Sequence, residues 1–209
     1  MDMDMACQIS VAAQDAGITP IVRVPGFEHH LATRALDGGA LGIVVPHVED
    51  VKIAKQMASN CRYPPIGHRS MTGTLPQVNF ARHPIGEMAE AVNAATLLIL
   101  MIETPHAVEN ADAIAAVEGI DALLIGTNDL CMEMGIPGHF DHPDVKAAYD
   151  TVIAACHKHG KHPGMGGVYD PPMMAQYVNK GMKLILSGND MTFMMAGAKA
   201  QAAAIRELN

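Results

Sequence analysis

Two stretches decide the fold: Leu97-Leu98-Ile99-Leu100-Met101-Ile102-Glu103 and Ala122-Leu123-Leu124-Ile125-Gly126-Thr127-Asn128-Asp129. Each is a short apolar run that ends in an acid, the pattern of a strand buried in a parallel sheet. Between them Pro105 to Val117 has helical spacing and is stopped by Gly119, so the segment predicts one strand–helix–strand unit. Outward from it the rhythm repeats. Thr19 to Val24, Leu41 to Pro46, His162 to Gly166 and Leu184 to Gly188 predict four more strands. Helical patterns run over Asp4 to Asp15, Glu28 to Asp37, Asp50 to Ser59, Pro84 to Ala95, Pro143 to about Gly160 and Asp190 to Leu208. Asn60 to His83 is a long irregular connection. Repeated βα units fit either an open doubly wound sheet or an eight-stranded (β/α) barrel.

Composition removes whole classes of function. A chain of 209 residues with 49% hydrophobic and 17% charged residues is globular rather than disordered, and predicts a single domain. The longest apolar run, Ala94 to Ile102, is interrupted by Thr96 and is about half the ~20 residues of a membrane-spanning helix, so no membrane partner is expected. The acidic start, Met1-Asp2-Met3-Asp4-Met5, lacks the basic character of a targeting segment, which makes the cytoplasm the expected compartment. With 22 acids against 14 bases and no basic cluster, nucleic acid is not an expected partner. Cys7, Cys61, Cys131 and Cys156 are widely spaced and read as reduced thiols. There is no Walker loop, GxGxxG, GxSxG or HExxH.

What remains is chemistry at strand ends. Glu103 and Asp129 close strands one βα unit apart, so a parallel sheet brings them side by side at its carboxyl end, where such folds place their sites. Two neighbouring carboxylates repel unless a positive group stands between them. A hard divalent cation, completed by water and substrate, answers that need. The structural alternative is that Glu103 begins the following helix and Asp129 caps a turn. A third feature is Arg62-Tyr63-Pro64-Pro65-Ile66-Gly67-His68-Arg69-Ser70, whose stiff backbone is expected to aim Arg69 at a carboxylate or enolate. His157, His159 and His162 read as a solvated helix end, and Gly164-Met165-Gly166-Gly167 as a tight strand exit or a source of backbone donors.

Along essentially its whole length the sequence resembles the metal-dependent (class II) pyruvate aldolases of the HpcH/HpaI aldolase and citrate lyase family. The resemblance is carried by Ile21-Val22-Arg23-Val24-Pro25, Val44-Val45-Pro46, Arg62-Tyr63-Pro64-Pro65 with Gly67 and Arg69, Ile102-Glu103-Thr104, Val117-Glu118-Gly119-Ile120-Asp121, and Ile125-Gly126 with Asp129-Leu130. It implies a (β/α)8 TIM barrel of the pyruvate/phosphoenolpyruvate type that assembles into homohexamers with the last helix exchanged between neighbours. It also implies reversible cleavage of a 4-hydroxy-2-oxo acid to pyruvate and an aldehyde. By the same likeness Glu103 and Asp129 bind Mg²⁺, Mn²⁺ or Co²⁺, and Arg69 contacts the keto and enolate oxygen. Gly126, Thr127 and Asn128 then hold the pyruvate carboxylate through their backbone.

Three departures accompany the resemblance. The family's Asp-x-Glu-His-Gly motif, which carries the base, is absent. Asp4 to Pro20 resembles the helix and turn that follow that motif, so the sequence is expected to begin after it and to lack the first two barrel strands. Met101 stands where many members have Gln, and Thr127-Asn128 replaces a more usual Pro-Ala. Two alternatives stay open at this stage: a CoA-ester lyase of the citramalyl- or malyl-CoA type on the same barrel and metal, and a catalytically inactive barrel.

Overall fold

The computed structural model describes residues 1–208. Among them, the six expected strands are β1 (Ile21–Arg23), β2 (Gly42–Val45), β3 (Leu97–Ile102), β4 (Ala122–Gly126), β5 (His162–Gly166) and β6 (Leu184–Ile185). They pair in parallel and in sequence order. The helices are α1 (Met3–Asp15), α2 (His29–Asp37), α3 (Val51–Cys61), α4 (Ile85–Ala95), α5 (Pro105–Glu109), α6 (Ala111–Ala115), α7 (Thr127–Glu133), α8 (Pro143–Lys158), α9 (Pro171–Asn179) and α10 (Asp190–Arg206). No helix among the described residues is long and apolar enough to cross a membrane.

The sheet is curled. Laid flat, six strands put the two edges about 24 Å apart, yet Ile21 and Arg23 of β1 line one cavity with Leu184 of β6 and with Leu186 just beyond that strand. The fold is therefore a curled parallel sheet of six strands with helices on its outer face, a half-barrel. The expected eight-stranded barrel is not closed by these strands.

Period-two alternation sorts each strand between two cores. Leu98, Leu100 and Ile102 of β3 and Leu123 and Ile125 of β4 face the helices, whereas Ile99, Met101, Ala122 and Leu124 face the inside of the curl with Val44. The outer core also takes Ala54 and Met57 of α3 and Val145, Tyr149 and Val152 of α8.

Local chemistry explains most element ends. Asp50, Thr104 and Asp170 cap α3, α5 and α9 by accepting N–H groups of Ile53, Ala107 and Met173. The expected continuous helix from Pro105 to Val117 is instead two short ones broken at Asn110, whose amide side chain reaches the Glu49 carbonyl at 3.0 Å. The long connection after α3 holds a single 3₁₀ turn, Pro76–Val78.

The Arg62-Tyr63-Pro64-Pro65 motif is structural. Arg62 is buried and donates to the carbonyls of Gly119, Asn93 and Thr96 at 2.9, 2.6 and 2.8 Å, and it pairs with Asp121. These partners precede β3 and β4, so the motif clamps the amino end of the sheet. Three cysteines are buried and Cys7 is half-buried. The Met-rich α10 buries no residue at all.

Candidate active site

The register of the sheet builds the site. Ile99 pairs with Ala122 and Met101 with Leu124, so the next inward-facing pair is Glu103 and Gly126, at the carboxyl end. Thr104, not Glu103, caps the following helix, which leaves the Glu103 carboxylate free to face the inside. A Cβ on Gly126 would stand 2.6 Å from Glu103 Oε1, so glycine is what makes room for that carboxylate. One turn on, Asp129 lies in the first turn of α7 and is exposed. Its carboxylate lies beside that of Glu103 in the same depression.

Glu103 sits where burial works against its charge. Its side chain is fully buried, and that burial pushes its carboxyl above the usual range. The His47 backbone N–H, at 2.8 Å from Oε2, and the His47 ring, at 3.2 Å, pull the other way. The nearby Asp129 carboxylate pushes up again. His47 sits just past the end of β2 at φ +52°, an uncommon conformation for a side-chain-bearing residue. That conformation turns its N–H toward Glu103. Oε1 finds no hydrogen-bond partner among the described residues. A buried carboxyl oxygen without a donor, beside a second carboxyl group, has the chemistry of half a cation site. No group of three or more His, Cys, Asp or Glu able to hold a metal occurs among the described residues. Water and substrate oxygens would therefore complete the coordination.

The depression around this pair is lined by Arg23, Met101, Thr127, Asn128 and Gly166–Gly167, with Tyr169 and Leu186 at its side. Thus Glu103, Asp129, Gly126, Thr127 and Asn128 come together as expected. Arg69 does not join them. Its side chain is buried at the amino end of the sheet, where Nη2 donates to Asp37 Oδ1 at 2.6 Å and the guanidinium lies 4.6 Å from the Tyr63 ring centroid. Asp37 ends α2, which runs antiparallel to the strands, so Arg69 sits at the opposite end from Glu103. The stiff loop does aim Arg69, but at a structural partner, and the role expected of it is corrected. The guanidinium at the site belongs to Arg23, which faces inward on β1 beside Val44. Its signal was legible: it is the one charged residue of a predicted strand, at that strand's carboxyl end. His47 had no such signal, because its part depends on a backbone dihedral.

The other expectations resolve simply. Lys158 and His159 pair with Asp112 on the outer surface. Gly164 fits closely between Leu124 and Leu184, and Gly167 turns at φ +87° against the Asn128 side chain.

Comparison with known proteins gives the family. The model of the HpcH/HpaI aldolase/citrate lyase family matches residues 2–196. The 4-hydroxy-4-methyl-2-oxoglutarate aldolase tasA of Hapsidospora irregularis is 38% identical over 211 aligned residues, covering 97% of this chain and 77% of that protein. The 4-hydroxy-2-oxo-heptane-1,7-dioate aldolase of Salmonella paratyphi C is 32% identical over 184 residues, covering 88% and 69%. The crystal structure of an HpcH/HpaI aldolase from Desulfitobacterium hafniense DCB-2 superposes with a TM-score of 0.92 at 28% identity, over all of this chain and 80% of that one. With the family model matched over nearly its whole length and aldolases of more than 30% identity beside it, this chain belongs to the HpcH/HpaI aldolase/citrate lyase family.

Proposed function

We propose that the chain is a carbon–carbon lyase that cleaves a 4-hydroxy-2-oxo acid to pyruvate and an aldehyde, and runs the reverse addition. The observation that carries the reading is the buried Glu103, its Oε1 unpartnered, beside Asp129 in a depression that also holds Arg23. Family membership narrows the reaction class.

Glu103 and Asp129 would hold a divalent cation, Mg²⁺, Mn²⁺ or Co²⁺, with the remaining positions left to water and substrate. When bound, such a cation supplies Lewis-acid polarisation of the 2-oxo group. The chain's own residues do the rest. The Arg23 guanidinium faces the charge that develops on the C2 oxygen as the C3–C4 bond breaks, the role the sequence had suggested for Arg69. The backbone of Gly126, Thr127 and Asn128 orients the pyruvate carboxylate. Met101 and Leu186 form an apolar wall that limits water around the reacting carbon. His47 holds Glu103 in position through its backbone N–H.

The same reading takes the six-stranded sheet as part of a (β/α)8 barrel that works as a homo-oligomer, hexameric by family resemblance. The exposed apolar side chains of α10 are the surface such an assembly would cover. The test of function is pyruvate release from 4-hydroxy-4-methyl-2-oxoglutarate and 4-hydroxy-2-oxo-heptane-1,7-dioate with Mg²⁺, Mn²⁺ or Co²⁺, followed by oxidation of NADH through lactate dehydrogenase. Release from at least one substrate, lost in Glu103→Gln, is the expected result. No release from any 4-hydroxy-2-oxo acid tried would overturn the reading.

A further inference from the structure

Behind the site lies a hydroxyl pair that the chemistry above does not use. Thr127, the first residue of α7, and Tyr149, in α8, are both fully buried, and their hydroxyl oxygens are 2.6 Å apart. Thr127 Oγ1 also lies 2.7 Å from the carbonyl oxygen of Gly166, the last residue of β5. A carbonyl only accepts, so the single Thr127 proton goes to Gly166, and the Tyr149 phenol must donate to Thr127. The chain of donors is therefore fixed in direction: Tyr149 to Thr127 to Gly166. Burial pushes the Tyr149 phenol well above its usual range, which keeps that proton in place. The Tyr149 ring is itself fixed, stacked on Tyr177 with centroids 3.9 Å apart.

The pair joins three elements at one point of the site. Gly126, immediately before Thr127, abuts Glu103. Asn128, immediately after, packs on Gly167, and Asp129 follows. With seven residues, α7 is too short to hold itself in place by its own backbone bonds, so tertiary ties set where it stands. Thr127 supplies such a tie on the outer face of the strand end, while its neighbours work on the inner face.

We propose that Thr127 and Tyr149 are positioning residues, whose buried hydroxyl chain locks the turn after β4 to the end of β5 and so sets Asp129 and Asn128 against Glu103 and Gly167. The functional half of this inference rests on the lyase reading; the mechanical half does not. Tyr149→Phe removes the donor, Thr127→Val removes the relay with little change of shape, and Thr127→Ser keeps it. Met57→Ala, a cavity on α3, supplies a loss of stability without touching the chain.

Two readouts are taken on the full chain at 25 °C. Hydrogen–deuterium exchange of peptides covering residues 123–133 reports the tie without any substrate. In Tyr149→Phe and Thr127→Val it speeds up by about tenfold, the size of one lost buried hydrogen bond, and Met57→Ala leaves that segment alone. Lyase kinetics report the consequence: kcat/KM falls about tenfold in Tyr149→Phe, more in Thr127→Val than in Thr127→Ser, and the double variant Tyr149→Phe/Thr127→Val falls by less than the product of the singles. Wild-type exchange rates in Tyr149→Phe, or equal effects of Val and Ser at position 127, overturn the inference. Faster exchange with unchanged kcat/KM overturns the positioning role. A wild type without lyase activity overturns the lyase reading instead, and hydrogen exchange then decides the tie by itself.

Discussion

Gly126 and Glu103 face each other across adjacent strands so closely that a single methyl group on the glycine would stand 2.6 Å from the Glu103 carboxylate. Gly126→Ala is therefore expected to fold, because the outward-facing core is untouched, but to push the buried carboxylate off its position. Affinity for Mn²⁺ should fall about 10- to 100-fold, the range seen when groups that orient a ligand are disturbed. Titration calorimetry or electron paramagnetic resonance with Mn²⁺ measures it; wild-type affinity would show that Glu103 is not held by this contact.

The two arginines separate by function. Arg23→Ala should lower kcat/KM about 100-fold or more with little change in unfolding midpoint, since the side chain is exposed and lines the site. Arg69→Ala should do the reverse. It loses the ion pair to half-exposed Asp37 and the contact with Tyr63, costing about 1–3 kcal/mol of stability while the folded protein keeps most of its rate. Initial rates and urea unfolding of both variants decide between this assignment and the one expected from the Tyr63-Pro64-Pro65 motif.

How much of this was legible beforehand follows from what each residue depends on. Strand β4 matches its predicted bounds because an apolar run buried on both faces leaves few choices, and β5 matches its own as well. Glu103 and Asp129 could be paired from sequence because neighbouring parallel strands end side by side. Arg69 misled, since a stiff loop says that a side chain is aimed but not at which end of the sheet. The direction came only from the helix that carries Asp37. His47 and Tyr149 were silent: one acts through a left-handed backbone angle, the other through a contact 22 residues distant in sequence.

Alkaline pH should weaken the fold. Burial pushes the Cys61 thiol up to about 12 and the Cys156 thiol to about 11. Both groups bind their protons more tightly folded than unfolded. The stability they contribute is present below pH ~8.5, the range of a free thiol, and is lost as pH rises toward 11–12. Urea midpoints at pH 7.5, 9 and 10.5 should fall in that order, and Cys7 should react with iodoacetamide well before Cys61 and Cys156 do. A midpoint that rises with pH contradicts the assignment.

Helix α10 exposes Met191, Phe193 and Met194, each more than half accessible. The proposed assembly covers them. Light scattering on the full chain should give a mass several times 22.2 kDa, and Met191→Glu/Met194→Glu should lower it. A monomer in both cases removes the oligomer from the account.

The most direct test of the central claim is deuterium exchange into the methyl group of pyruvate, followed by NMR with Mg²⁺ or Co²⁺ and again with EDTA. It asks whether the Glu103–Asp129 site promotes enolisation without requiring the correct aldehyde. The account predicts exchange that depends on the metal and disappears in Glu103→Gln. Exchange that is absent in the wild type, or that continues unchanged with EDTA or in Glu103→Gln, would contradict it.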